Sequence, residues 1–293
     1  MRERAGAPSK IILCAPFAWT AAELRAHLSS DPLRLVSESP SETLLFTPDH
    51  VFDADLRDGA DARIEKAFRA SAPRAQSFRE EDFLTLRAHR STLYVLSDGI
   101  RQDDAAEIAH GMMHLGVSLL DKDALALKCD SAGIAHAGER FRALVVESDA
   151  AMRALAKKDK TKDEAIAARY RFWRALFETF VRGPIADGED FYTCGMHLLG
   201  RRDAIVARSC FDHRVGDAVA EGSDVVAAGR AHALMEAFLL YVLAECGDDA
   251  PRAGHTFRRT DDEPRWTIAI EPCARYPEDD FFHNPAGYFR LTR

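Results

Sequence analysis

The sequence has no pair of cysteines close enough to make a zinc knuckle or a redox motif. Cys14, Cys129, Cys194, Cys210, Cys246 and Cys273 are scattered singly and read as reduced thiols. There is no excess of positive charge either: 39 Lys and Arg stand against 47 Asp and Glu, a formal net charge of -8. Such a field repels phosphate backbones, so no nucleic acid is expected as a partner. Long apolar runs are missing too. Ala237 to Ala244 falls well short of the roughly 20 residues that a membrane span needs, and Met1 to Lys10 leads into no export core. The expectation is a cytoplasmic chain with no membrane contact. Neither a Gly-x-Ser-x-Gly elbow nor a phosphate loop ending in Gly-Lys is present.

What the chain does contain is ample material for a core: 293 residues, 47% of them hydrophobic, enough for one large domain or two small ones. Ile11 to Phe17 reads as a strand, and Thr20 with Glu23 as the capping box of a following helix. Asp31-Pro32 ends that helix. Leu33 to Glu38 and Thr43 to Thr47, joined by the turn at Ser39-Pro40-Ser41, read as a hairpin. Residues 53–83 are polar with helical patches, Thr92 to Leu96 is a strand, and Ile108, Met112, Leu115 and Leu119 recur at helical spacing. Ala124 to Cys129 alternates as a strand running into a small-residue loop and a helix. Tyr170, Trp173, Phe177 and Phe180 form an aromatic stripe, best explained as core. Gly183-Pro184 and Asp187-Gly188 punctuate the chain. Phe191 to Leu199 alternates as a strand, and the helix Ala231 to Glu245 has an apolar surface wider than one stripe. This order predicts an α+β fold of two ferredoxin-like halves, each a sheet with helices on one face. The N-terminal half is set at 10–145, a helical connector at 146–189 and the C-terminal half at 190–293.

Tyr192-Thr-Cys-Gly-Met-His-Leu-Leu-Gly-Arg-Arg-Asp203, the long apolar helix and Gly254-His-Thr together resemble the bacterial domain of unknown function numbered 4261. Leu127-Lys-Cys-Asp-Ser-Ala-Gly-Ile-Ala-His136 is similar to longer members of that family. The resemblance implies a bacterial protein associated with toxin or secretion loci and carries over no catalytic residue.

Three constellations could carry chemistry. Glu107, His110 and His114, with Asp103, share the polar face of the helix over Asp103 to Leu120, where two histidines four apart can reach one zinc. Gly111 stands where a metallopeptidase helix has its glutamate. The plain reading is a solvated face with no cofactor and no metal. Cys129, Ser131 and His136 offer a thiol, a hydroxyl and a base at the loop after a strand, against the plainer reading of a tight turn shaped by Gly133. His197, Arg201, Arg202 and Asp203 could bind a carboxylate or phosphate, or form a solvated turn. Glu236 is placed to pair with His232 one turn earlier. The leading expectation is a non-enzymatic accessory or immunity-type factor that binds a protein partner, motivated by the resemblance, the wide apolar surface of the helix Ala231 to Glu245 and the absence of a convincing catalytic set. The same helix could serve a homodimer. The alternative is a small-molecule hydrolase using the His/Glu stripe or the Cys/His loop.

Overall fold

The computed structural model describes residues 9–30, 33–38, 41–46, 50–72, 78–211, 214–215, 218–219, 223–247 and 249–293, with the backbone alone described for 30, 36–38, 41–46, 50–51, 214–215, 218–219 and 223. Asp31-Pro32, Pro40 and Thr47 lie outside the described residues. The chain opens with β1 (Ile12–Phe17), α1 (Ala21–His27), β2 (Ser29–Ser30), β3 (Leu33–Glu38), β4 (Ser41–Phe46) and β5 (His50–Asp58). It continues through α2 (Arg63–Ser71), α3 (Glu80–Arg87), β6 (Ser91–Leu96), α4 (Ala105–Asp121), β7 (Ala126–Cys129) and β8 (Ile134–Ala137). A helical hairpin follows, α5 (Gly138–Ala156) and α6 (Lys162–Phe180). Then come β9 (Arg182–Asp187), β10 (Asp190–Cys194), β11 (Asp203–Ala207), β12 (Arg214–Val215) and β13 (Ala218–Val219). The chain finishes with α7 (Ser223–Tyr241), β14 (Thr256–Phe257), β15 (Trp266–Glu271) and β16 (Tyr288–Thr292).

The fold is α+β. An eight-stranded sheet runs β2-β3-β4-β5-β6-β1-β7-β8 and a six-stranded sheet β14-β15-β16-β11-β10-β9. Inside the first sheet the four strands β7-β1-β6-β5 are joined antiparallel. The unit β6-α4-β7 therefore straddles β1, and β1-α1-β5 straddles β6, with β2 to β4 as an excursion. This is the split βαβ arrangement of a ferredoxin-like unit. Period-two alternation sends Leu13, Ala15, Phe17, Leu93 and Val95 toward α1 and α4. Cys14, by contrast, packs with Ile64, Phe68, Phe83 and Leu86 of α2 and α3 on the opposite face. Helices thus cover both faces here, where one was expected. The reason is legible in the burial: Phe68 and Leu86 are wholly buried, so the segment expected to be merely polar has an apolar side of its own.

The second sheet is two meanders, β9-β10-β11 and β14-β15-β16, joined along a parallel β11–β16 pairing. This is a different plan from the ferredoxin-like half expected there. Residues expected to be punctuation form β9: Gly188, at φ +58, turns the tight β9–β10 hairpin, the use to which glycine is put in such turns. One buried cluster extends from Ile11 to Leu291, so the two sheets and the α5–α6 connector share a core. Thr161 caps α6 with Glu164 as its reciprocal partner, as Thr20 and Glu23 do for α1. Phe177 and Phe180 of the aromatic stripe are buried.

The span Asp224–Cys246 is long and apolar enough to cross a membrane by length and composition, with a mean hydropathy of 1.4. In the fold, Leu234, Met235, Phe238, Leu239, Leu240, Val242 and Leu243 are buried within the shared core. The broad apolar surface is therefore covered by the chain's own sheet and helices. His232 and Glu236 do meet, at 3.5 Å, and Arg174 lies 3.8 Å from the same carboxylate.

Candidate metal centre

The α4 helix packs its apolar residues Met112, Leu115 and Leu119 into the core and leaves the opposite edge against α5. The two helices approach closely because α4 has Gly116. A Cβ there would lie 2.6 Å from the Phe141 ring of α5 and 2.8 Å from Leu127. At 3.6 residues per turn His110 and His114 then face α5 one above the other, where Asp149 meets them. His110 Nε2 and His114 Nε2 each donate to the same oxygen, Asp149 Oδ1, at 3.1 and 3.0 Å. The two rings lie edge to face at 4.7 Å, and Phe172 of α6 closes the far side of His110 at 5.7 Å. Burial is graded: the His110 side chain is 22% exposed, Asp149 30% and His114 41%, so solvent reaches the site over His114. Burial, with the neighbouring His114, holds the His110 imidazole below its ordinary pKa. It is therefore a neutral donor at neutral pH, the form that binds metals.

One atom from each of the three residues lies within 4.8 Å of the other two. Around tetrahedral zinc, with bonds of 2.0 to 2.1 Å, donor atoms stand about 3.3 Å apart. The two histidine–Asp149 separations of 3.1 and 3.0 Å need to open by only a few tenths of an ångström, and the two histidine donor atoms lie within 4.8 Å of each other. Two imidazoles and one carboxylate suit zinc and its first-row neighbours, whereas calcium and magnesium prefer all-oxygen sets. Glu107, expected on the same stripe, is exposed and is not one of the three residues. Asp149 takes its place, and nothing in the local sequence around Asp149 marks it as a ligand.

The Cys129, Ser131 and His136 group is built differently from its expectation. The loop after β7 turns straight into β8 instead of a helix, and the two strands pair Cys129 with Ile134 and Leu127 with His136. Ser131 Oγ donates to Lys10 O at 2.6 Å and accepts from Ile12 N at 3.0 Å, so the hydroxyl serves as a backbone clasp. Burial pushes the Cys129 thiol up to about 12, away from the thiolate that nucleophilic work needs. His136 Nε2 donates to Thr179 O at 3.3 Å and burial holds its pKa at about 4.

That depression has a pH signature. Between the unfolded value near 6.5 and about 4 the unfolded chain takes up a proton that the folded chain refuses, so stability falls as pH falls through this window. The effect of His136 reaches about 3 kcal/mol near pH 4. Urea unfolding at pH 7 and pH 4.5 should show His136→Gln losing less stability between the two than the parent chain. Equal losses would rule this origin out.

The third group is also dispersed. β10 ends at Cys194, and Gly195, at φ +122, turns the chain into the short 3₁₀ helix Met196–Leu199 that carries His197. A side chain at Gly195 would place Cβ 2.0 Å from Phe180 O. Here the expected strand is cut short. His197 and Asp203 are buried, 3.9 Å apart, and neither ring nitrogen of His197 has a hydrogen-bond partner among the described residues. Asp203 accepts from Thr193 Oγ1 at 2.9 Å, Met196 N at 3.2 Å and Asn284 Nδ2 at 2.7 Å. Arg201 instead reaches Gly247 O at 3.1 Å, and the Arg202 guanidinium sits over the Phe289 ring at 5.5 Å. The four residues thus do not converge on one solvent-facing anion site.

Comparison with family models, with curated proteins and with solved structures returns no match.

Proposed function

We propose that the chain is a zinc-dependent protein with small-molecule hydrolase chemistry, the ion being held by His110, His114 and Asp149. The observation that carries this reading is the convergence of two histidine Nε2 atoms on one oxygen of Asp149 from a second helix. Structural zinc sites close with four protein ligands, whereas hydrolytic ones keep three and leave a position for water. When bound, the ion would lower the pKa of that water to about 7 and supply a hydroxide nucleophile. The chain's own contribution is to hold two neutral imidazoles and a carboxylate on rigid helices, with Phe172 restricting water on one side of His110. The accessory-factor reading drew in part on the apolar breadth of Ala231 to Glu245, and that surface is buried in the chain's own core. Free thiols at all six cysteines suit a reducing compartment, and we place the protein in the cytoplasm. Isothermal titration of chelator-treated protein with zinc is the test. One equivalent bound supports the reading, and no saturable binding removes it.

A further inference from the structure

The face of the first sheet turned away from α4 holds a cleft. Strand register lines up Asp55, Tyr94, Cys14 and Lys128 in one row across β5, β6, β1 and β7, and period two puts Arg57 and Asp130 on the same face. Ile64, Ala67 and Phe68 of α2 wall the space above this row, which is about 310 Å³, at the small end for a ligand site. Its interior is apolar. Cys14, Ile64 and Phe68 are buried, and the Arg57 guanidinium lies over the Tyr94 ring at 4.6 Å. Charge is confined to the rim, as three ion pairs: Arg57 with Asp55, Arg63 with Asp61 and Lys128 with Asp130. The two arginine side chains are 60% and 85% exposed, whereas Lys128 is 13% exposed and Asp130 26%.

We infer that the cleft binds an α-amino acid with an apolar side chain, whose carboxylate accepts from Lys128 and whose ammonium donates to Asp130. The rim pairs cancel, so the site has no net charge with which to gather a simple anion or cation. A zwitterion meets both members of one pair, and one ion pair becomes two. Lys128 and Asp130 are the anchor because water screens the more exposed arginine pairs. As alternate residues of one strand they point the same way, and so present their two charges side by side to the two groups on a single α-carbon. The apolar body then displaces water from Cys14, Ile64 and Phe68, which contributes affinity that the charges alone do not. This site stands apart from the zinc reading and does not depend on it.

The test is isothermal titration of the whole chain with L-leucine and L-phenylalanine, each beside its deaminated and its decarboxylated analogue, which carry one charge on the same body. At least one of the two amino acids should bind saturably, and about tenfold or more tighter than either of its analogues. Lys128→Met and Asp130→Asn should each weaken it by about the same factor. Ala67→Phe, which fills the cleft from a position that is only partly buried, should abolish binding with the far-UV circular dichroism unchanged. The proposal is overturned by an analogue that binds as tightly as its amino acid, by a Lys128→Met or Asp130→Asn protein that binds as the parent does, or by no saturable binding of either amino acid. The analogue comparison is made on the unaltered chain, so it decides even if a variant fails to fold.

Discussion

Asp149→Ala should lower zinc affinity at least a hundredfold and leave the fold intact. The carboxylate is the one group that both histidines address, and it sits on a separate helix. Its loss leaves two imidazoles four residues apart and, among the described residues, no third donor grouped with them. Even a change to a residue that only orients a ligand costs 10- to 100-fold, and removing a ligand itself costs more. The variant should remain folded because Asp149 is partly exposed and lies outside the buried cluster. His110→Ala should do the same, whereas Glu107→Gln should bind zinc as the parent does. Binding should also depend on pH in a stated direction. Zinc competes with protons for the imidazoles, so affinity should fall as the pH falls, and the lowered pKa of His110 lessens that loss. Titration calorimetry at pH 7.5, 6.5 and 5.5 checks both statements. A zinc affinity unchanged in Asp149→Ala would show that the ion binds elsewhere.

The second large effect is expected far from that site. Asp203→Ala should destabilise the protein by about 3 kcal/mol or more. The carboxylate satisfies Thr193 Oγ1, Met196 N and Asn284 Nδ2 and is buried together with His197. Each donor left unpaired in the interior costs about 1 to 3 kcal/mol, and a half-satisfied network is worse than an apolar one. Asp203→Asn keeps one acceptor oxygen and should lose less. Urea denaturation followed by far-UV circular dichroism measures the difference, and a loss below about 1 kcal/mol would mean that water replaces the carboxylate at little cost.

Much of this architecture could be read from local spacing. The capping box at Thr20, the hairpin of β3 with β4, and the polar edge of α4 all express a period or a short-range motif. What could not be read depends on partners distant in sequence. His114 and Asp149 are 35 positions apart, and a polar helix face offers more donors than an ion can reach. Only the neighbouring helix decides that Asp149 completes the set and Glu107 does not. The strand β9 was hidden by Gly183-Pro184, which reads as a break, and β5 by its charges, since Asp53, Asp55 and Arg57 alternate with Ala54 and Leu56 in a sequence that looks merely polar. His197 was misplaced because alternation continues past Gly195, whose positive φ is invisible to hydropathy.

The β11–β16 pairing has a kinetic consequence. It matches Asp203 with Tyr288 and Val206 with Leu291, so it closes a very long loop, whereas β9-β10-β11 and β14-β15-β16 are meanders of neighbouring strands. Contacts distant in sequence form late because the entropy of closing the loop must be lost before they gain anything. The two meanders should therefore assemble independently and then join along a single seam. Asp203 lies at one end of it, receiving Asn284 and donating its own N–H to Gly287 O. On this view the buried carboxylate acts as the latch that registers two separately formed ribbons, and weakening it should slow folding as well as loosen the folded state.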